Sequence, residues 1–176
     1  GKLAVAHLRD SLRKDRGVVE RAMQLTFFPI LKHVDPALYK HMFHKCGFPK
    51  FAVSWITSWF ASDIGDIAVA SRLIDVLLVS HPTMPVYLSV ALLVMNRDII
   101  MQCDDQHAIA AAIHKIPLMA TLTFEDTDNH MAADALRESM LEIERVIAAA
   151  LAYTQRIPPS SLLDLAKKSS LKSRVP

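Results

Sequence analysis

Two short segments gather side chains of the types that bind metals. His41, His44 and Cys46 lie within six residues, and Cys103, Asp104, Asp105 and His107 lie within five. On a helix His41 and His44 share a face. Neither group has the paired Cys/His spacing of a structural zinc site, and no third ligand completes the first pair. Surface histidines and an Asp104 that caps a helix account for the same residues. The expectation is no metal and no cofactor. The sequence also contains no glycine-rich phosphate loop, no Walker lysine and no nucleophile elbow. Its carboxylates are scattered over helix faces, so hydrolytic chemistry carried by this chain alone is not supported.

A second set of residues suits recognition. Trp55 and Trp59 are the two tryptophans of the chain, and four residues apart on a helix they share a face. That face either meets a partner, where tryptophan concentrates binding energy, or is buried as core. Thr57 and Phe60 lie in the same stretch. Arg72 and Asp75 are three apart, the spacing of a local ion pair that orients a helix.

The elements that must position these residues are helical. Apolar residues make up 52% of 176 positions and glycines number four, which argues for a buried, mostly helical core and against disorder. A first helix is expected over about 16–33, with Asp15 as cap and Val19, Met23, Phe27, Ile30 and Leu31 inward. Asp35-Pro36 reads as N-cap and first helical position of a second, stopped by Gly47 and Pro49. The tryptophan helix is expected over about 51–60. Another over about 65–80 has Ile67, Ala70, Ile74, Leu77 and Leu78 as its stripe. His81-Pro82 breaks the chain. A helix over about 84–101 has no polar face, which predicts burial on most sides. Asp104 caps a shorter helix ending near Ile116-Pro117. After a polar hinge at 125–129, a long helix runs over about 130–156, with Leu136, Met140, Ile143, Ile147 and Leu151 inward. Ser161-x-x-Asp164 resembles a capping box, and the last residues read as a tail.

Charge and cysteine content narrow the partners. Twenty Lys and Arg against eighteen Asp and Glu give a net charge of +2, too balanced for a nucleic-acid groove although the pI is near 8.6. Basic residues cluster at the ends, in 2–21 and 167–174, where they read as solvated surface or tail. Cys46 and Cys103 make no disulfide framework and fit reduced thiols in the cytosol. No signal peptide is evident. The most apolar run, 84–95, is well short of the roughly 20 residues of a membrane span.

The stretch Phe51–Tyr87 resembles the C-terminal motif region of TBC-domain GTPase-activating proteins for Rab GTPases. Ser54-Trp55-Ile56-Thr57-Ser58-Trp59-Phe60, Arg72-Leu73-Ile74-Asp75 and His81-Pro82-Thr83-Met84-Pro85-Val86-Tyr87 carry the resemblance. It begins at His7-Leu8-Arg9-Asp10, continues through Val34-Asp35-Pro36-Ala37-Leu38 and reaches Cys103-Asp104, with an echo at Ile157-Pro158-Pro159-Ser160. It is strongest to the branch anchored in the endoplasmic reticulum that acts on early-secretory Rabs.

The resemblance implies an all-α, multi-helix orthogonal array. Residues 1–160 would form the C-terminal part of a TBC domain, and 161–176 a short helix and tail. It implies a Rab-family small GTPase as partner, vesicle trafficking as the process, and a cytoplasmic location at the cytosolic face of endoplasmic reticulum or Golgi membranes. Trp55, Thr57, Trp59 and Phe60 would contact the GTPase, while Arg72, Asp75, Pro82 and Pro85 would be structural. The family works with an arginine finger from Ile-x-x-Asp-x-x-Arg and a glutamine finger from Tyr-x-Gln, a trans-supplied pair worth about 10³–10⁵ in rate in related systems. The first motif does not occur in these residues. Tyr153-Thr154-Gln155 matches the second but follows the tryptophan stretch, whereas the family places it before, so no catalytic residue is assigned. The fingers are expected on an N-terminal lobe outside this chain. The alternative is a non-catalytic helical scaffold that binds a small GTPase or another protein.

Overall fold

The computed structural model describes residues 25–45, 50–116, 129–162 and 164. The readings made for 2–24, Cys46, Gly47, Pro49, 117–128 and 167–176 lie outside the described residues. Among the described residues there is no strand, and the expected all-α architecture is observed.

Helix α1 covers Phe27–Val34. The long first helix expected from the pattern is interrupted at Thr26, whose φ of −123° and ψ of −61° are not helical. Pro29 explains the break, because its ring would collide with the carbonyl of Leu25 in a continuous helix. Restarting at Phe27 leaves the proline in the first turn, where no amide donor is needed. Helix α2, Pro36–Lys45, starts as expected. The Leu38 N–H donates to Asp35 Oδ1 at 2.8 Å, and Pro36 holds the first helical position.

Helix α3, Lys50–Ser58, ends two residues before its expected limit. Trp59 and Phe60 both adopt left-handed backbone, with φ of 55° and 64°. Helix α4, Ile67–Val79, is capped by Asp66, which accepts from the N–H groups of Ala68 at 2.7 Å and Val69 at 3.1 Å. Its buried stripe is Val69, Leu73 and Leu77, whereas Ile67 and Leu78 of the expected stripe face outward. Residues 81–84 form a turn closed by Met84 N–H donating to His81 O at 2.8 Å, with Pro82 preset for its corner.

Helix α5, Met84–Met95, is the hub. Every residue from Met84 to Leu93 is buried, as its missing polar face predicts. It packs against α1, α3 and, most extensively, the 28-residue helix α8, Asn129–Arg156. It stops six residues short of its predicted end. Asn96 turns its side-chain amide back to Leu92 O at 2.9 Å and leaves helical backbone. The short α6, Arg97–Met101, follows, then α7, Gln106–His114. The cap of α7 is Asp105, which accepts from Ala108 N–H at 2.8 Å; the expected cap, Asp104, is exposed and reaches Lys45 instead. That backbone N–H holds the Asp105 carboxyl below its usual range. On α8 the inward residues are Ile143, Val146, Ile147 and Ala150, with Leu136 and Met140 partly covered; Leu151, expected inward, is exposed. The chain ends its described course in a 3₁₀ turn, Pro159–Ser161. There Ser161 Oγ donates to Pro158 O at 2.8 Å, and Leu162 is buried in the common core.

Candidate functional site

The tryptophan stretch is a helix end folded back on itself. Ser58 Oγ donates to Ser54 O at 2.8 Å and Thr57 Oγ1 to Val53 O at 2.9 Å, satisfying carbonyls of the last turn from within. The chain then turns left-handed, and Phe60 N–H donates to Trp55 O at 2.8 Å. This stacks the Phe60 ring on Trp55, with centroids 5.5 Å apart, while the Phe51 ring centre lies 5.1 Å from that of Trp55. Left-handed backbone costs about 1–2 kcal/mol per residue with a Cβ. For the two residues that is about 2–4 kcal/mol, and burying a ring the size of Phe60 returns about 1.5–3 kcal/mol, which offsets much of it.

The fold therefore separates the four residues of the candidate contact. Trp55 and Phe60 are 1% and 2% exposed and belong to the core. Thr57 is exposed and Trp59 half-buried. The two tryptophans do not share a helix face, because Trp59 lies beyond the end of α3. A hydroxyl clasp closes the turn: Ser54 Oγ donates to Asp63 Oδ2 at 2.9 Å and Ser62 Oγ donates to the same oxygen at 2.7 Å. Sequence patterning missed this clasp, since Ser54 and Asp63 meet only when Trp59 and Phe60 reverse the chain.

The four residues expected to be structural are placed differently from one another. Arg72 does not form a local pair with Asp75. Its guanidinium grips both carboxylate oxygens of Glu144 on α8, at 2.5 and 3.2 Å, and this bond holds Arg72 above its usual pKa. Asp75 is exposed. The pairing links α4 to α8 across 72 residues, a partner no short spacing could reveal. Pro82 is exposed at its turn, and Pro85 is buried in the first turn of α5, its carbonyl accepting from the buried Ser89 hydroxyl at 2.8 Å.

Two further polar links carry the arrangement. Asp35 caps α2 through Oδ1 and accepts Arg97 Nε on Oδ2 at 2.8 Å, tying the α1–α2 corner to α6. Tyr87, on the hub, donates its hydroxyl to Ile157 O at 2.6 Å, and burial pushes its pKa up to about 12. Burial also raises Tyr153, which packs on the core one turn before the end of α8, with Gln155 exposed beside it.

The described members of the two metal-like groups do not gather into a ligand set, and Cys46 lies outside the described residues. His41 is half-buried with an unpartnered Nε2, and His44 is exposed against Phe43. The Cys103 thiol donates to Ile99 O at 3.4 Å, Asp105 caps α7 and His107 is exposed. Among the described residues no three His, Cys, Asp or Glu side chains could hold a metal ion, and no helix is long and apolar enough to cross a membrane.

Known proteins are similar to part of this chain in sequence. The human TBC1 domain family member 20 is 28% identical over 117 residues, which cover 66% of this chain and 29% of that protein. The GTPase-activating protein gyp10 of Schizosaccharomyces pombe is 33% identical over 112 residues, covering 64% of this chain and 30% of that protein. The chain thus spans about three-tenths of the length of the curated relatives it matches. No solved structure matches it. Residues 3–101 match the Rab-GTPase-TBC domain, and they include α1 to α6, the tryptophan turn and Arg72. The chain belongs to the Rab-GTPase-TBC domain family.

Proposed function

We propose that this chain is the C-terminal lobe of a GTPase activator for a Rab-family small GTPase. In this reading it supports a finger-bearing lobe and supplies part of the GTPase-binding groove. The match of residues 3–101 to the Rab-GTPase-TBC domain carries the reading. The similarity to the gyp10 GTPase-activating protein supports it. The contact would centre on the turn after α3, where Thr57 and Trp59 offer surface and the buried Trp55–Phe60 stack holds that surface in place. Pro82 and Pro85 would set the entry of the hub helix behind it. The protein would act on early-secretory Rabs at the cytosolic face of endoplasmic reticulum or Golgi membranes, as the sequence resemblance implies.

Catalysis would come from the trans-finger logic of this enzyme class, in which an arginine stabilises the transferred phosphoryl group and a second residue orients water. No residue described here is given either role. The surface offered by Thr57 and Trp59 suits equally a second reading, a scaffold that binds a GTPase without accelerating it. Single-turnover GTP hydrolysis by an early-secretory Rab, measured beside binding with this chain in excess, tests both. Binding without acceleration is expected of a docking lobe or a scaffold. Acceleration of about 10³-fold or more would refute the assignment of the fingers elsewhere and make Gln155 the first residue to replace. Neither binding nor acceleration would count against a Rab site carried by this lobe.

A further inference from the structure

Residues 54–64 carry a buried half and an exposed half on one reversal of the chain. Trp55, Phe60 and Ile64 make the buried half and belong to the core. Backbone bonds fix Phe60 at both ends. Its N–H donates to Trp55 O at 2.8 Å, and its carbonyl accepts from the N–H groups of Asp63 and Ile64, each at 3.0 Å. Trp59, the other left-handed residue, packs only partly on that core, and Thr57 is exposed. The aromatic stack therefore sets the path of the chain, and polar bonds are left to hold the exposed half.

Asp63 supplies those bonds. Its Oδ2 accepts the Ser54 hydroxyl at 2.9 Å and the Ser62 hydroxyl at 2.7 Å, and the two hydroxyl oxygens lie 3.4 Å apart. Hydrogen bonds to an ionised carboxylate are roughly twice as strong as neutral ones. Ser54 passes the constraint on. Its carbonyl accepts from Ser58 Oγ at 2.8 Å and from Thr57 Oγ1 at 3.2 Å. One carboxylate oxygen thus ties the far side of the turn to the helix end that carries Thr57, with Trp59 enclosed between the two. Helix α4 does not need this carboxylate, because Asp66 is its cap. Among the described residues Asp63 takes part in no ion pair.

We propose that Asp63 is a positioning residue of the candidate GTPase contact. Through Ser54 it holds Thr57 and Trp59 in the arrangement the partner meets, while the core stack maintains the fold. The inference rests on the reading of this turn as the contact. Asp63 acts through its neighbours and does not touch the GTPase. Without the carboxylate, Ser54 and Ser62 turn to water, the stack stays, and the exposed half samples several arrangements. Apparent affinity then falls with the fraction of molecules still in the competent one. A bond to a charged group shifts that balance by about tenfold or more.

Acrylamide quenching and binding to an early-secretory Rab, compared for the whole chain, Asp63→Ala and Asp63→Asn, test it. Trp55 is 1% exposed, so the neutral quencher reports Trp59. Asp63→Ala should raise the quenching constant toward that of free N-acetyltryptophanamide and weaken Rab binding about tenfold. Circular dichroism should show that its helices persist. Asp63→Asn keeps an oxygen that can accept both hydroxyls, so it should restore most of both readouts. Unchanged quenching in Asp63→Ala would overturn the proposal. So would raised quenching with undiminished affinity, because the clasp would then be a local support only. Weak binding with normal quenching in Asp63→Asn would also overturn it, since Asp63 would then meet the GTPase directly through its charge. If the unaltered chain bound no Rab, the reading of the turn as a GTPase contact would fail and the positioning role with it. The quenching change would then show that the reading of the contact, and not of the clasp, was at fault.

Discussion

Replacing Trp59 by alanine and, separately, by glycine isolates the backbone of the turn after α3. Both variants lose the same indole, so their difference reports the cost of holding a Cβ at φ of 55°. An L-residue in that region costs about 1–2 kcal/mol. Glycine avoids the cost but gives up about 0.5–1 kcal/mol of chain entropy on folding. Glycine should therefore be the more stable by about 0.5–1 kcal/mol, or about 1–4 °C in melting temperature for a chain of this length. At an ordinary helical position the order reverses. Ala148, exposed in the middle of α8, is the control: Ala148→Gly should destabilise by about 1 kcal/mol. Urea unfolding of all three variants, with equal slopes as the check on two-state behaviour, gives the comparison. If Trp59→Ala proved as stable as Trp59→Gly, the left-handed turn would be wrong. The strained presentation of the candidate GTPase contact would fall with it.

Four other outcomes test separate links. Asp35→Ala should cost the α2 cap, about 0.5–2 kcal/mol, and the Arg97 bond as well, while Asp35→Asn, which keeps one accepting oxygen but not the ion pair, should recover only the cap's share in the same unfolding assay. Phe60→Ala should cost about 3–5 kcal/mol in stability, whereas Thr57→Ala should leave the melting curve almost unchanged and lower Rab affinity. The folded pKa of Tyr87, about 12, lies above its ordinary value of 10, so the folded form keeps its proton longer. Stability from this group is complete below pH 10 and declines as pH rises from 10 toward 12; alkaline titration should show that decline, flattened in Tyr87→Phe. A double-mutant cycle on Arg72 and Glu144 should give a small coupling that salt removes, because both side chains are well exposed.

Local grammar accounts for the elements that the sequence places correctly. Asp35-Pro36 starts α2 because a carboxylate and a proline suit the first turn of any helix, whatever the helix packs against. The run at 84–95, apolar but for Ser89, predicts a buried hub because it leaves no polar face for solvent. The errors arise where a distant partner decides. α3 ends early because Phe60 gains a stack on Trp55 by reversing the chain. The face of α4 rotates so that Val69, Leu73 and Leu77 enter the core in place of Ile67 and Leu78. Arg72 chooses Glu144 over Asp75, and a three-residue spacing cannot report a partner 72 positions away. Within the candidate contact, residue type marked the region, but burial alone separates the supporting pair, Trp55 and Phe60, from the accessible Thr57 and Trp59.

The hydroxyl of Tyr87 and the carbonyl of Ile157 also set an order of events during synthesis. The ribosome releases α5 long before α8, yet α8 covers the largest part of α5. An apolar helix therefore emerges with its principal partner still untranslated, and the Tyr87 hydrogen bond cannot close until residue 157 has cleared the exit tunnel. For some seventy residues of elongation, at about 5–20 residues per second, the hub is a segment that chaperones can bind. A nascent chain arrested before α8 should be sensitive to protease, and one arrested well past Leu162 should be resistant.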